Sequence, residues 1–144
     1  MKNIIFCLSA SAGLLLSGCD GKPSWTLLTP FDGGTAYYLP AKSDAKIKDA
    51  SPGGSVRWTF GTPQQLVLDN KPALSYLHKE ATILFNCGDR TYAMPDYSFH
   101  NTLDGKSEVV HWVSETPEQM KWRDIQSDSI VAALAQKIAP ACAP

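Results

Sequence analysis

Apolar and polar positions alternate most cleanly over residues 55–60, where Val56, Trp58 and Phe60 fall on one side and Arg57 and Thr59 on the other. A period of two with one apolar side predicts a strand with a single buried face. The pattern returns over residues 82–87, with Ile83, Phe85 and Cys87 in phase, so Cys87 is expected to point toward the core. Gly88-Asp89 then predicts a tight hairpin, with Arg90 opening the return strand. In that strand Tyr92 and Met94 share a side until Pro95 shifts the parity to Tyr97 and Phe99. A proline accompanied by a parity change predicts a bulge or an edge position. Asp104-Gly105 marks the next turn, and residues 108–113 form another strand, with Val109, His111 and Val113 opposite Val110 and Trp112.

The flanking segments are weaker in pattern. Residues 25–28 predict a first short strand, Thr29-Pro30 with Asp32-Gly33-Gly34 a turn, and residues 35–39 a second strand. Residues 40–54 are polar, with Lys42, Lys46 and Lys48 interrupted by Asp44 and Asp49, the composition of a solvated loop. Gly61-Thr62-Pro63 is expected to break the strand before it, Asp69-Asn70-Lys71-Pro72 to form a turn, and residues 73–78 to be a loop or a single turn. Residues 114–126 read as a long excursion carrying Pro117, Met120 and Trp122. Only one helix is predicted. Ser127 or Asp128 is positioned to cap it, Ile130, Val131, Leu134 and Ile138 recur at helical spacing, Pro140 stops it, and Cys142 lies just beyond. The expected architecture is α+β: an antiparallel sheet of five or six strands packed with one C-terminal helix.

The first twenty residues follow a different logic. Lys2 precedes an apolar run that continues to Leu14-Leu15-Leu16 and meets no charge before Asp20. A basic start, an apolar stretch and small residues at its end make an export signal, and at roughly 15 residues the stretch is short for a bilayer span of about 20. Leu16-Ser17-Gly18-Cys19 resembles the lipobox of bacterial lipoproteins, in which small residues admit the peptidase and the cysteine thiol accepts a diacylglyceryl group. This predicts a signal peptide over residues 1–18, lipidation at Cys19, including a fatty acyl chain of the palmitate type, a linker over residues 19–24 and a folded domain over residues 25–144. Two or more acyl chains hold a protein on a bilayer durably. The expected location is therefore the cell envelope: inner or outer membrane facing the periplasm, or the cell surface. In enteric lipoproteins an aspartate after the acylated cysteine, here Asp20, implies retention at the inner membrane.

Removing residues 1–18 from the 144 leaves 126, enough for one domain with a core. Of the 13 basic side chains only Lys2 is lost, so 12 face 14 acidic ones, a net of −2. With no block of like charge, neither nucleic acid nor an anionic lipid surface is implied as a partner. Cys7 leaves with the signal and Cys19 is acylated, so Cys87 and Cys142 remain for one disulfide in an oxidising compartment. Closing a loop of about 56 residues is worth roughly 4 kcal/mol in the chain-entropy model.

The segment Ile83-Leu84-Phe85-Asn86-Cys87-Gly88-Asp89-Arg90-Thr91-Tyr92 resembles the disulfide-bearing hairpin of the surface-adhesin protein E-like domain. Tyr97, the turn Asp104-Gly105-Lys106 and Trp122-Arg123-Asp124-Ile125 ahead of a helix ending in Cys142 keep that family's order, and Tyr38 with Val56-Arg57-Trp58 fits the same scheme. The likeness spans roughly residues 35–142. It departs before the helix, where the family has a proline and a glycine and this chain has Ser127-Asp128, and over residues 61–79. The resemblance implies an exported or lipid-anchored domain with an antiparallel sheet and a C-terminal helix, and for some members the binding of host extracellular proteins.

Candidate chemistry is sparse. His100 and His111 flank Asp104-Gly105 and are expected to approach each other across a hairpin, where Asp96 or Glu108 would complete an acid–base or metal cluster. No His-x-x-His or His-Glu-x-x-His spacing supports a closed metal site, and surface histidines are the expectation, with His78 solvated in a polar loop. Gly-x-Ser-x-Gly is absent, and Gly33-Gly34 and Gly53-Gly54 are isolated pairs. No catalytic residue, metal or cofactor is assigned, and the chain is expected not to be an enzyme. The aromatics exceed what a small core must hide. Trp58 and Trp122 are expected inside, while Trp112, Tyr37 and Tyr38 are candidates for an exposed patch that anchors a protein partner. The expected function is that of a lipid-anchored, adhesin-like binding module. The alternative is a periplasmic inhibitor or immunity-type lipoprotein that blocks a partner enzyme.

Overall fold

The computed structural model describes residues 24–40, 52–102 and 108–144. The proposed signal, Cys19, the lysines at 42, 46 and 48 and the Asp104-Gly105 turn lie outside these residues. Among the described residues, eight strands form one antiparallel sheet, followed by a single α-helix. They are β1 (Thr26–Phe31), β2 (Gly34–Pro40), β3 (Gly53–Leu66), β4 (Leu74–Asn86), β5 (Thr91–Ala93), β6 (Asp96–His100), β7 (Val109–Ser114) and β8 (Arg123–Asp124), and the helix is α1 (Ile130–Ile138). The strand order is β1-β2-β3-β4-β5-β8, and β6 branches from β4 to pair with β7.

The class agrees with the pattern in the sequence, but eight strands replace the expected five or six. Three departures from the expected elements lengthen or add strands, and a fourth, at Pro95, splits one. First, local breakers are absorbed by irregular pairing. The register of β3 on β4 shifts between Thr59 and Gln64, so Gly61-Thr62-Pro63 bulges and the strand resumes. Gly61 N–H donates to Gly33 C=O at 3.0 Å, which ties the bulge to the β1–β2 turn. Likewise β1 runs through Thr29-Pro30 with a shift between Leu27 and Thr29, and the turn itself is only Asp32-Gly33. Gly33 has φ +84°, where a side chain would be strained. Second, residues 74–78, expected as a loop, extend β4 backward and pair with β3, with His78 pairing β6 as well. Third, Arg123 and Asp124 in the expected excursion pair with Tyr92 and Thr91 as a two-residue edge strand.

The parity change at Pro95 is real. Tyr92 pairs with Phe85 and Ala93 with Leu84, whereas Tyr97 pairs with Ala81, one residue out of register. The return chain is thereby split into β5 and β6, both on the same edge of β4. The β4–β5 connection is a four-residue turn over 87–90, two residues longer than the shortest hairpin turn. Asn86 Oδ1 accepts from the N–H groups of Gly88 and Asp89, and Arg90, expected in the strand, takes φ +53° and closes the turn.

One face of the sheet is covered by α1. Val56, Ala81, Ile83 and Phe85 from the sheet meet Val131, Leu134 and Ala135 from the helix, with Ile125 and Cys142 sealing the end. Fully burying a side chain such as Phe85, Ile83 or Leu134 contributes about 1.5–3 kcal/mol each. The helix cap is Ser129 rather than Ser127 or Asp128: its Oγ accepts from Ala132 N–H at 3.0 Å. Beyond the helix, a 3-10 turn (Pro140–Cys142) brings Cys142 to Cys87, and the two form the expected disulfide across 55 residues of sequence. It staples the helix end to the tip of β4. Among the described residues no helix is long and apolar enough to cross a membrane.

Candidate functional site

The opposite face of the sheet carries no helix, and strand register places a row of polar and aromatic side chains across its middle. Tyr37 of β2 pairs with Arg57 of β3, Arg57 with Glu80 of β4, Glu80 with Ser98 of β6, and Ser98 with Trp112 of β7. The adjacent row runs Thr59, His78, His100. Because successive side chains on a strand alternate between faces, residues paired across neighbouring strands share a face, and the two rows converge on one cluster.

Within the cluster, Arg57 donates from Nε and Nη2 to Glu80 Oε1 at 2.8 and 2.5 Å. Trp25 stacks over the Arg57 guanidinium at 4.4 Å from its centroid, a cation–π contact that holds the arginine down on the sheet. His78 and His100 lie with their rings stacked, centroids 4.4 Å apart and planes 11° from parallel. His78 Nε2 is 3.7 Å from Glu80 Oε1, and Ser98 Oγ is 2.8 Å from His100 Nε2. His78 is only 2% exposed, yet neither ring nitrogen has a hydrogen-bond partner of good geometry. The Thr102 backbone favours the charged ring. An unsatisfied buried polar atom costs about 1–3 kcal/mol.

Burial is the main reason the His78 pKa falls to about 4, with the fields of His100 and Arg57 adding to it and Glu80 opposing. Burial also lowers the His100 pKa, against the pull of Glu80. Both rings are therefore neutral at pH 7, each with one nitrogen lone pair free of a proton. Two concavities flank the cluster. One, of about 260 Å³, is lined by Trp25, Tyr37, Arg57, Thr59 and His78. The other, of about 290 Å³, lies between Trp25 and Trp112 over Glu80, Asp96 and Ser98.

Several expectations need correction. His78 is not solvated in a loop but buried on β4. His100 and His111 do sit on neighbouring strands, but on opposite faces: His111 pairs with Phe99, and its ring lies 6.1 Å from that of Phe99 on the helix side. The one-residue offset of a pleated strand separates them. The expected carboxylates are engaged elsewhere. Asp96 accepts from Ser114 Oγ at 2.6 Å, and Glu108 pairs with Asn101 through its N–H and its side chain. Trp122 is 43% exposed, because Ile125 enters the core in its place, while Trp58 is half-buried against the core. Trp112 is 63% exposed, as expected for a patch residue, and Tyr37 and Tyr38 are half-buried, with Tyr38 packed on the helix side. Glu80 and Arg57 carry no motif. The available signal was the backward extension of the β4 alternation, which puts His78, Glu80 and Thr82 in one phase and Lys79, Ala81 and Ile83 in the other.

The uncovered end of the helix-side face holds a second concavity of about 260 Å³, whose lining includes Lys79, Tyr92, Tyr97, Phe99, His111 and Arg123. Lys79 Nζ lies 5.2–5.5 Å from the rings of Trp58, Tyr97 and Phe99. Burial, and then the charge of Arg123, lowers its pKa.

Neither a curated protein nor a solved structure matches the chain significantly. The family model described as surface-adhesin protein E matches residues 25–143, which include every strand, the helix and both cysteines of the disulfide. The chain belongs to the surface-adhesin protein E family.

Proposed function

We propose that this chain is a lipid-anchored envelope protein, tethered through Cys19, that binds another protein through the helix-free face of its sheet, with a host extracellular protein as the ligand class. Family membership supports the adhesin class. The observation that carries the choice of surface is Trp112, a large aromatic 63% exposed at the end of the row that runs through Glu80 and Arg57. An exposed tryptophan and a partly desolvated arginine on one face are residue types that anchor interfaces. In this reading the domain binds and does not catalyse: the two histidines stack on each other, and the hydroxyl beside them, Ser98 Oγ, sits on His100 Nε2. The disulfide and core hold the sheet rigid, so that the face is formed before the partner arrives.

Two measurements test the proposal. Radiolabelled palmitate is expected to enter the wild-type chain and not Cys19→Ser. Intact cells displaying the wild-type protein are expected to retain immobilised extracellular-matrix protein, with Trp112→Ala lowering retention at least tenfold. Equal retention by Trp112→Ala would remove the face from the account. Failure of a surface antibody to label intact cells would remove the adhesin reading itself.

A further inference from the structure

We propose that His78, Glu80 and His100 form a binding site for one divalent transition-metal ion, with zinc as the fitting ion. One donor atom from each of the three residues falls within a group no more than 4.8 Å across. Zinc–ligand distances of 2.0–2.2 Å in tetrahedral geometry put ligands about 3.3 Å apart. The group must therefore contract by about 1.5 Å, and the His100 ring must turn out of its stack on His78 so that the in-plane lone pairs of both rings meet at one ion. Glu80 and His100 are the half-buried partners that move, and His78 is the fixed one.

Two imidazoles and one carboxylate select a borderline ion such as zinc over calcium or magnesium, which take oxygen ligands. The second observation is independent of this spacing. His78 is buried, and neither of its ring nitrogens has a side-chain hydrogen-bond partner. A metal ion would turn one of them into a ligand. The groups around it suit the role. Ser98 Oγ holds the His100 ring by its Nε2, in the manner of outer partners that orient ligating histidines. Arg57 takes Glu80 Oε1 in both of its bonds, so the second carboxylate oxygen is the one offered to the metal. The guanidinium charge opposes the ion, which sets the expected affinity in the micromolar range rather than that of a structural zinc site. Three protein ligands leave a fourth position, for water or for a side chain of a docked partner. Trp25, Tyr37, Arg57 and Thr59 line a cavity beside His78.

The inference does not depend on the adhesin reading, because it is tested on the isolated protein with no partner present. Tag-free mature protein is stripped with chelator and titrated with zinc chloride by calorimetry, and bound metal is counted by mass spectrometry. One zinc per chain is expected, with a thermal midpoint raised by about 10 °C at zinc a hundredfold above Kd. His100→Gln, at a half-buried position, is expected to fold and to weaken binding at least tenfold. His111→Gln, on the opposite face, is expected to bind as the wild type does. Cobalt substitution reads the geometry directly: wild-type protein is expected to show the intense visible bands of a tetrahedral ion, and His100→Gln to lose them. No binding at 100 μM zinc, unchanged affinity in His100→Gln, or loss of binding in His111→Gln would each overturn the site.

Discussion

Along β4, Ala81, Ile83 and Phe85 point toward α1 and are sealed from solvent, whereas His78 and Glu80, one position out of phase, point to the face that carries no helix. The same strand thus serves two environments. On the helix side the side chains are apolar and interchangeable in chemistry though not in volume, and their contribution is to stability. On the open side they are polar, cross-linked by register into rows, and one of them is buried without satisfying its hydrogen bonds. The contrast separates what holds the domain together from what it presents, and substitutions on the two sides are expected to behave differently.

The largest effects belong to the covered side. Replacing Cys87 and Cys142 together by serine removes the staple between the β4 tip and the helix end, and about 4 kcal/mol of stability is expected to go with it. Phe85→Ala, at a fully buried position, is expected to cost about 3–5 kcal/mol. Both are measured by urea unfolding against the oxidised wild type, and a loss below about 1 kcal/mol would contradict the staple in the first case and the place of Phe85 in the core in the second.

An intermediate effect comes from pH. In metal-free protein, His78 has a folded-state pKa of about 4 against an ordinary 6.5, so the unfolded chain binds the extra proton between these values. Its stabilising contribution is fully present above pH 6.5 and is lost as pH falls to 4, on the order of 3 kcal/mol. The lowered His100 pKa acts in the same direction. Unfolding free energies in chelator at pH 7 and pH 4.5 are expected to differ, with His78→Gln flattening the dependence. Arg57→Gln comes next. It breaks a half-buried ion pair and is expected to cost about 1 kcal/mol, less at high salt. The smallest change in stability, within about 0.5 kcal/mol, is expected for Trp112→Ala, because its ring is mostly in water.

The covered side was legible in the sequence because burial leaves a periodic mark. Val56, Ile83, Phe85 and Leu134 all fall where alternation or helical spacing puts them, and two leftover cysteines found each other as expected. The open side left almost no mark. Residues 73–78 read as a loop or a single turn, since Ser75, Tyr76 and His78 leave no period of two there. His100 and His111 were close in sequence and on paired strands, but one residue of parity decides the face. Neither the β3 bulge at Gly61-Thr62-Pro63 nor the pairing of Arg123-Asp124 has a local cause: both exist because neighbouring strands supply hydrogen-bond partners across the sheet.

The central claim is that the helix-free face binds and the helix-covered face stabilises. The direct measurement compares Trp112→Ala with wild type in two assays on the same protein preparation: urea unfolding, and retention on immobilised extracellular-matrix protein. The account predicts superimposable unfolding curves and a loss of retention of at least tenfold. Unchanged retention would contradict it, as would a loss of retention that merely followed a loss of folded protein.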